Sequence, residues 1–165
     1  MKKLVSMVVF LLLIAASASA QVEQGDREIQ AVGAMYATAE MTVITILGTY
    51  GYYFRPNLEF GVGPTIAYVE VFGYDQTMIG GTFYGRYYFS TNTKVVPYLA
   101  GQWYQFDFSP PEPLSFTDLS FLQAGAGLKY FVSERLAWDV SLNLGVGLGS
   151  SDMSMLLFGG LSAFF

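Results

Sequence analysis

The stretch LAWDVSLNLGVGLG, residues 136–149, alternates without an error. Leu136, Trp138, Val140, Leu142, Leu144, Val146 and Leu148 are apolar. Ala137, Asp139, Ser141, Asn143, Gly145, Gly147 and Gly149 are small or polar. Successive side chains of a strand point to opposite faces, so these residues form a strand with one oily face and one polar face. Strands of globular proteins usually stop at about 5–6 residues. A strand that crosses a bilayer needs about 9–11 residues and must tilt.

The same period of two recurs along the chain. Eight strand-like segments are read from it, roughly 28–37, 42–54, 58–69, 78–89, 94–106, 119–131, 136–148 and 153–165. In the third, Leu58, Phe60, Val62, Pro64, Ile66 and Tyr68 share one face and Glu59, Gly61, Gly63, Thr65 and Ala67 the other. The fourth sets Ile79, Phe83, Tyr87 and Phe89 against Thr82, Tyr84 and Arg86. The sixth sets Leu122, Ala124, Ala126, Leu128 and Tyr130 against Gln123, Gly125, Gly127 and Lys129. The first and fifth segments are ambiguous in phase. Pro97 in the fifth lacks a ladder donor, which predicts a bulge or strand end there.

The links alternate in length. RPN (55–57), STN (90–92) and SER (133–135) are tight, 38–41 and 149–152 are short, and 70–77 and 107–118 are longer. This is the rhythm of an up-and-down meander of hairpins. In hydrocarbon every backbone N–H and C=O must be paired within the protein, which only helices and closed barrels achieve. The reading is therefore all-β: an eight-stranded antiparallel up-and-down transmembrane β-barrel, with apolar residues outward and polar or small ones inward. At eight strands the lumen is just wide enough for side chains to fill. The aromatic groups Tyr50, Tyr52, Tyr53, Phe54, then Tyr87, Tyr88, Phe89, then Tyr130, Phe131 all precede tight turns. That placement predicts an interfacial girdle. A soluble β-sandwich and a lipocalin-like barrel, apolar inside, are the competing folds.

Composition points the same way. The 165 residues are 53% hydrophobic and only 13% charged, against about 25% charged in ordinary soluble domains. Residues 1–20 read as a signal peptide: a basic MKK, an apolar run, and Ala18-Ser19-Ala20 before the expected cleavage. Residues 21–165 then form the barrel domain, and losing Lys2 and Lys3 takes the net charge from −5 to −7. The chain has no cysteine and no histidine. A disulfide framework, thiolate metal sites and an imidazole triad are thus excluded. Neither a metal cluster nor a nucleic-acid patch is present, no cofactor is implied, and GVGLGSS (145–151) lacks the lysine of a phosphate loop. No catalytic residues are assigned and the chain is read as not an enzyme.

Charge separates along the barrel. The links 38–41, 70–77, 107–118 and 149–152, at the end opposite the tight turns, carry Glu40, Glu70, Asp75, Asp107, Glu112, Asp118 and Asp152, with no Lys or Arg, while Arg27, Arg55, Lys94 and Arg135 fall at the tight-turn rim. Four charges sit on inward faces: Glu59, Arg86, Lys129 and Asp139. Glu59 and Arg86 are cross-strand neighbours, as are Lys129 and Asp139. Charges in a narrow lumen must be paired, so these four are predicted to form an ion-pair cluster plugging the barrel near its tight-turn mouth.

The final segment, MSMLLFGGLSAFF, ends at Phe165 with Ala163, Leu161, Gly159, Leu157 and Met155 at alternate positions. It resembles the C-terminal signature by which bacterial outer-membrane proteins engage the barrel-assembly machinery. Together with VVPYLAGQWYQF and FLQAGAGLKYFVSERLAWDVSLNLGVG it makes residues 28–165 similar to the small OmpA-like eight-stranded barrel family. The resemblance implies a bacterial outer-membrane location, a monomer surrounded by outer-membrane lipid, tight turns in the periplasm, and Phe165, Ala163 and Leu161 as an assembly signal. The predicted plug speaks against a wide pore and the short loops against a surface interaction protein, so the function read is mainly structural, a membrane-integrity role with a side-chain-filled lumen. A narrow pore or a barrel for a small hydrophobic ligand is the alternative, and a surface interaction protein the further one.

Overall fold

A computed structural model of the chain describes residues 23–37, 41–72, 74–89, 93–107, 119–148 and 153–165. The expected signal peptide lies outside these residues. Eight strands are present: β1 (Arg27–Ala37), β2 (Met41–Arg55), β3 (Leu58–Val71), β4 (Tyr74–Tyr88), β5 (Val95–Asp107), β6 (Leu119–Ser133), β7 (Leu136–Gly147) and β8 (Met153–Phe164). Each pairs antiparallel with its sequence neighbours, and β1 pairs with β8, closing an up-and-down barrel. Gly25, Arg27 and Phe165 lie at one end, where Arg27 and Phe165 exchange backbone hydrogen bonds of 3.1 Å. This end, with the turns at 56–57 and 134–135, is called the terminal end below. The other is the far end.

The alternation in β7 is the fold in miniature. Leu136 through Val146 face out and Ala137 through Gly145 face in, without interruption. Across the barrel, large apolar side chains such as Ile46, Val62, Phe83, Leu99, Leu128 and Leu157 are exposed on the outer wall. Charged and amide groups such as Glu28, Gln30, Lys129 and Asp139 are buried inside. This is inverted relative to a soluble domain and matches a wall solvated by lipid. Among the described residues no helix is long and apolar enough to cross a membrane.

Three expectations need correction. The 70–77 link is a tight turn, not a long one, since Val71 already pairs with Tyr74. Phe72 adopts φ 50°, the left-handed region that bulky side chains rarely enter. The pattern did not signal this turn, because no Asn-Gly or Asp-Gly pair marks it. The aromatic groups are also split. Tyr50, Tyr52, Phe54, Tyr87, Phe89 and Tyr130 face outward, but Tyr53, Tyr88 and Phe131 are buried in the lumen. Consecutive aromatics in a strand cannot share one face. Finally, the lumen is not uniformly polar or small, since its far half is apolar. Pro97 lies near the start of β5 and pairs only toward β6, while its carbonyl accepts the Phe89 N–H at 3.0 Å.

Two hairpins repeat one device. The β2–β3 and β6–β7 ladders each slip by one residue beside their turns, at Tyr53/Arg55 and Phe131/Ser133. Such bulges increase the local twist, and both sit at the rim of the terminal end.

Candidate functional site in the barrel lumen

The lumen is filled in layers, and each layer takes a residue from most strands. At the terminal mouth Tyr53, Tyr88, Val96, Phe131, Ala137 and Phe164 pack into an aromatic lid. Tyr53 stacks on Tyr88 with ring centroids 5.6 Å apart, and Phe131 lies against Phe164 at 5.1 Å. Beneath the lid lies the ionic layer.

Glu59 faces Arg86 in the β3–β4 ladder, and Lys129 faces Asp139 in the β6–β7 ladder. The four residues named from sequence are thus in one layer, each at most 5% exposed. Their shortest contacts are not those ladder pairs. The Arg86 guanidinium lies 3.7 Å from Glu59, and the Lys129 ammonium 3.8 Å from Asp139. Lys129 instead donates to Glu28 of β1 at 2.5 Å and to the Tyr88 hydroxyl at 3.0 Å. Arg86 donates to the Gln30 side-chain carbonyl at 2.7 Å. One Arg86 nitrogen stands 3.7–3.8 Å from Glu28, Glu59 and Asp139 together. Three carboxylates therefore surround two cations.

Tyrosine hydroxyls supply the remaining hydrogen bonds. Glu59 accepts from Tyr84 and Tyr88, each at 2.6 Å. Asp139 accepts from Tyr98 at 2.5 Å and from the Gln30 amide at 2.9 Å. Glu28 accepts from Tyr53 at 2.8 Å. The Arg86 guanidinium is held over the rings of Tyr84 and Tyr98, 4.5 and 5.1 Å from their centroids. A buried charge is tolerable when paired and hydrogen-bonded; Glu59, Asp139 and Lys129 meet both conditions, whereas Glu28 Oε1 and the Arg86 Nε and Nη1 atoms are buried within the ion pairs without a hydrogen bond.

Three glycines make room for it: a Cβ on Gly51 would stand against the Glu59 carboxylate, and two more lie under tyrosine rings. The Tyr84 ring lies where a Cβ on Gly61 would stand, and the Tyr98 ring where one on Gly127 would stand. Both are the direct cross-strand partners of those tyrosines. Only a residue without Cβ lets the ring lie flat on the wall and reach its carboxylate.

Glu28, Gln30 and Tyr98 were not singled out from sequence, and Tyr53 and Tyr88 were placed in the outer girdle, not in the lumen. Glu28 and Gln30 belong to β1 and Tyr98 to β5, the two strands whose phase the pattern left open. The usable signal was Glu28 itself, a charge inside a strand-like segment.

Toward the far end a band of Thr49, Thr65, Thr82, Gln102, Gln123, Ser141 and Asn143 follows. Beyond it Val32, Ala34, Leu47, Ala67, Met78, Tyr104, Phe106 and Phe158 form an apolar cluster. The rims differ too. Arg27, Arg55, Lys94 and Arg135 are exposed at the terminal end, and Glu70 and Asp75 are exposed and directly opposed at the far end. Glu40, Glu112, Asp118 and Asp152 lie outside the described residues, and of the Asp107 side chain nothing is described. Phe165, Ala163 and Leu161 all face outward on the β8 side of the wall. No group of ligating side chains that could hold a metal occurs among the described residues.

No protein-family model matches the chain, and no curated protein sequence does. Solved structures do. The N-terminal β-barrel domain of Pseudomonas aeruginosa OprF matches with a TM-score of 0.64 and 21% identity, over 87% of this chain and 100% of that one. The outer membrane protein OprG of Pseudomonas aeruginosa matches at 0.63 and 13%, over 89% and 99%. A barrel from the de novo design of transmembrane β-barrels matches at 0.53 and 17%, over 88% and 99%. The fold is that of the small eight-stranded transmembrane barrels. A natural domain and a designed one both share it, so the fold by itself assigns no role.

Proposed function

We propose that the protein is an integral barrel of the bacterial outer membrane with a structural, membrane-integrity role, its lumen closed by the layer of Glu28, Glu59, Arg86, Lys129 and Asp139. The burial of five charged side chains beneath an aromatic lid carries this reading. A water-filled channel would leave such groups hydrated. The apolar outer wall and the likeness to outer-membrane barrels support the location. In this reading the terminal end faces the periplasm, the acidic far end faces outward, and the barrel is a monomer in lipid. Catalysis is not part of it, because the chain lacks histidine and cysteine and the lumen carboxylates are engaged with one another's partners. Phe165, Ala163 and Leu161 are proposed as the signal read by the barrel-assembly machinery. Phe165→Ala should then slow assembly in cells while leaving the refolded barrel intact.

The test is single-channel recording in planar bilayers, the native chain beside Arg86→Ala. A silent native barrel that runs folded on a heat-modifiability gel supports the plug. Discrete openings of the native chain, altered by the substitution, would replace it with a narrow pore gated at this layer.

A further inference from the structure

The outer wall is indented on its β5–β7 side. In the ladders Trp103, Leu122, Val146 and Met153 form one cross-strand row on the outer face. Gly101, Ala124 and Leu144 form the next row toward the terminal end. A cleft of about 230 Å³ opens here, lined by Leu122, Ala124, Leu144, Val146 and Met153 and floored by the backbone of Gly145. The lining is apolar because every one of these side chains points outward. The methyl of Ala124 stands where its row would otherwise carry a large side chain. A Cβ on Gly101 would meet nothing within 4 Å, so the low ground continues onto β5.

The height of the cleft and its upper border describe its occupant. At about 3.3 Å per residue and a tilt near 40°, Ala124 stands roughly 23 Å above Ser133, and Ser120 roughly 33 Å. The apolar band of such barrels is roughly 25 Å tall, so the cleft opens onto hydrocarbon and Ser120 lies at the far interface. Ser120 pairs directly with Gln105, two positions beyond Leu122 and Trp103 on the same outward face. A hydroxyl and a carboxamide each donate and accept hydrogen bonds. Trp103, 40% exposed, offers a ring face between this polar pair and the low ground over Gly101. Rings of this kind collect where one end of a ligand is apolar and the other wet. Every Lys and Arg of residues 21–165 belongs to the terminal rim or the ionic layer, whereas Asp107 follows Gln105, and Asp118 precedes Ser120, by two positions. A phosphate would find no counter-charge on this border.

We infer that this cleft is a lipid site on the outer wall, which takes one acyl chain of a neutral glycolipid from the far leaflet. The chain lies between Leu122 and Leu144 over Ala124. The sugar hydroxyls meet Ser120 and Gln105, and the ring face of Trp103 packs against the sugar. An apolar cleft with a few convergent polar groups at one end is the general form of a small-ligand site. The inference rests on the outward face of the wall being solvated by lipid and is independent of the plug.

The experiment uses the full chain in phosphatidylcholine nanodiscs and hexadecyl glucoside carrying a mid-chain diazirine. Irradiation followed by mass spectrometry should place adducts on Leu122, Ala124, Leu144, Val146 or Met153 several-fold more often than on Ile44, Ile46 and Ile66. Those three are exposed at the same height on β2 and β3, across the barrel. Ala124→Phe fills the cleft and should lower its adducts several-fold while leaving those on β2 and β3 unchanged. The same tail on a phosphocholine or an amine should label the cleft several-fold less than the glucoside does. Ser120→Ala with Gln105→Leu should abolish that preference. The comparison of the two sides in the native chain decides the site whether or not the variants fold. Equal labelling of the two sides overturns the proposal, as do cleft adducts indifferent to Ala124→Phe or an equal yield from another head. A cleft protected from every label means that protein covers it, a second copy above all, and overturns it too. None of these outcomes bears on the plug, which conductance tests separately.

Discussion

Toward the terminal end the lumen holds five charged side chains, none more than 5% exposed. Toward the far end the same strands turn Val32, Leu47, Met78 and Phe158 to the axis. Both halves sit behind one continuous apolar outer wall, so the bilayer does not determine what lies inside. The charged half is specified by direction: Glu59 needs the two hydroxyls that reach it, and Arg86 needs its two rings and Gln30. The apolar half is specified by volume, where any well-shaped set of hydrocarbon groups would serve.

The largest test of that contrast is Lys129→Met. It leaves Glu28 buried without its closest cation and should cost about 3–5 kcal/mol, read as a lower urea midpoint for unfolding in lipid vesicles. Adding Glu28→Leu should recover most of the loss, since an apolar replacement of a whole buried pair is often neutral. A loss too small to resolve in the single variant would mean that the charged half is as forgiving as the apolar one. Next is the wall itself. Leu142→Arg puts a charge on the outer face of the strand whose inner face carries Asp139, and should cost about 2–4 kcal/mol near the bilayer midplane. Equal tolerance of charge on both faces would contradict the lipid-facing assignment. Gly61→Ala follows, at about 1–3 kcal/mol from overpacking against the Tyr84 ring. Its effect should vanish in the background of Tyr84→Ala. The smallest effect belongs to the apolar half: Met78→Leu should cost less than about 1.5 kcal/mol.

Legibility in the sequence followed the same divide. β7 and the middle stretches of β3 and β6, residues 58–68 and 122–130, could be read residue by residue because one face was apolar or alanine and the other small or polar. β1 could not, because Val32 and Ala34 are apolar yet face inward, in line with Glu28 and Gln30. β5 carries Tyr98, Ala100, Tyr104 and Phe106 inward against Leu99 and Trp103 outward, so hydrophobicity does not distinguish its faces. The apolar lumen layer is thus what concealed the phase, and with it Glu28, the closest partner of Lys129. Adjacency in the ladders gave Glu59 with Arg86 and Lys129 with Asp139. Contacts across the axis, such as Lys129 to Glu28, depend on side-chain reach, which no spacing rule encodes. At the turns, girdle rings outside and lid rings inside alternate along one strand, so Tyr52, Tyr53 and Phe54 read as one aromatic block.

Glu28 and Lys129 are 101 positions apart, and Gln30 and Asp139 are 109. During folding, neither partnership can form until the first strand has come round to the side of the last ones. The attraction between them is therefore absent along most of the route and arrives with ring closure. Interactions of that kind change the rate of leaving the native state far more than the rate of reaching it. The ionic layer thus acts as a latch on the finished cylinder: loosening it should shorten the lifetime of the inserted barrel while leaving the speed of its insertion nearly as before.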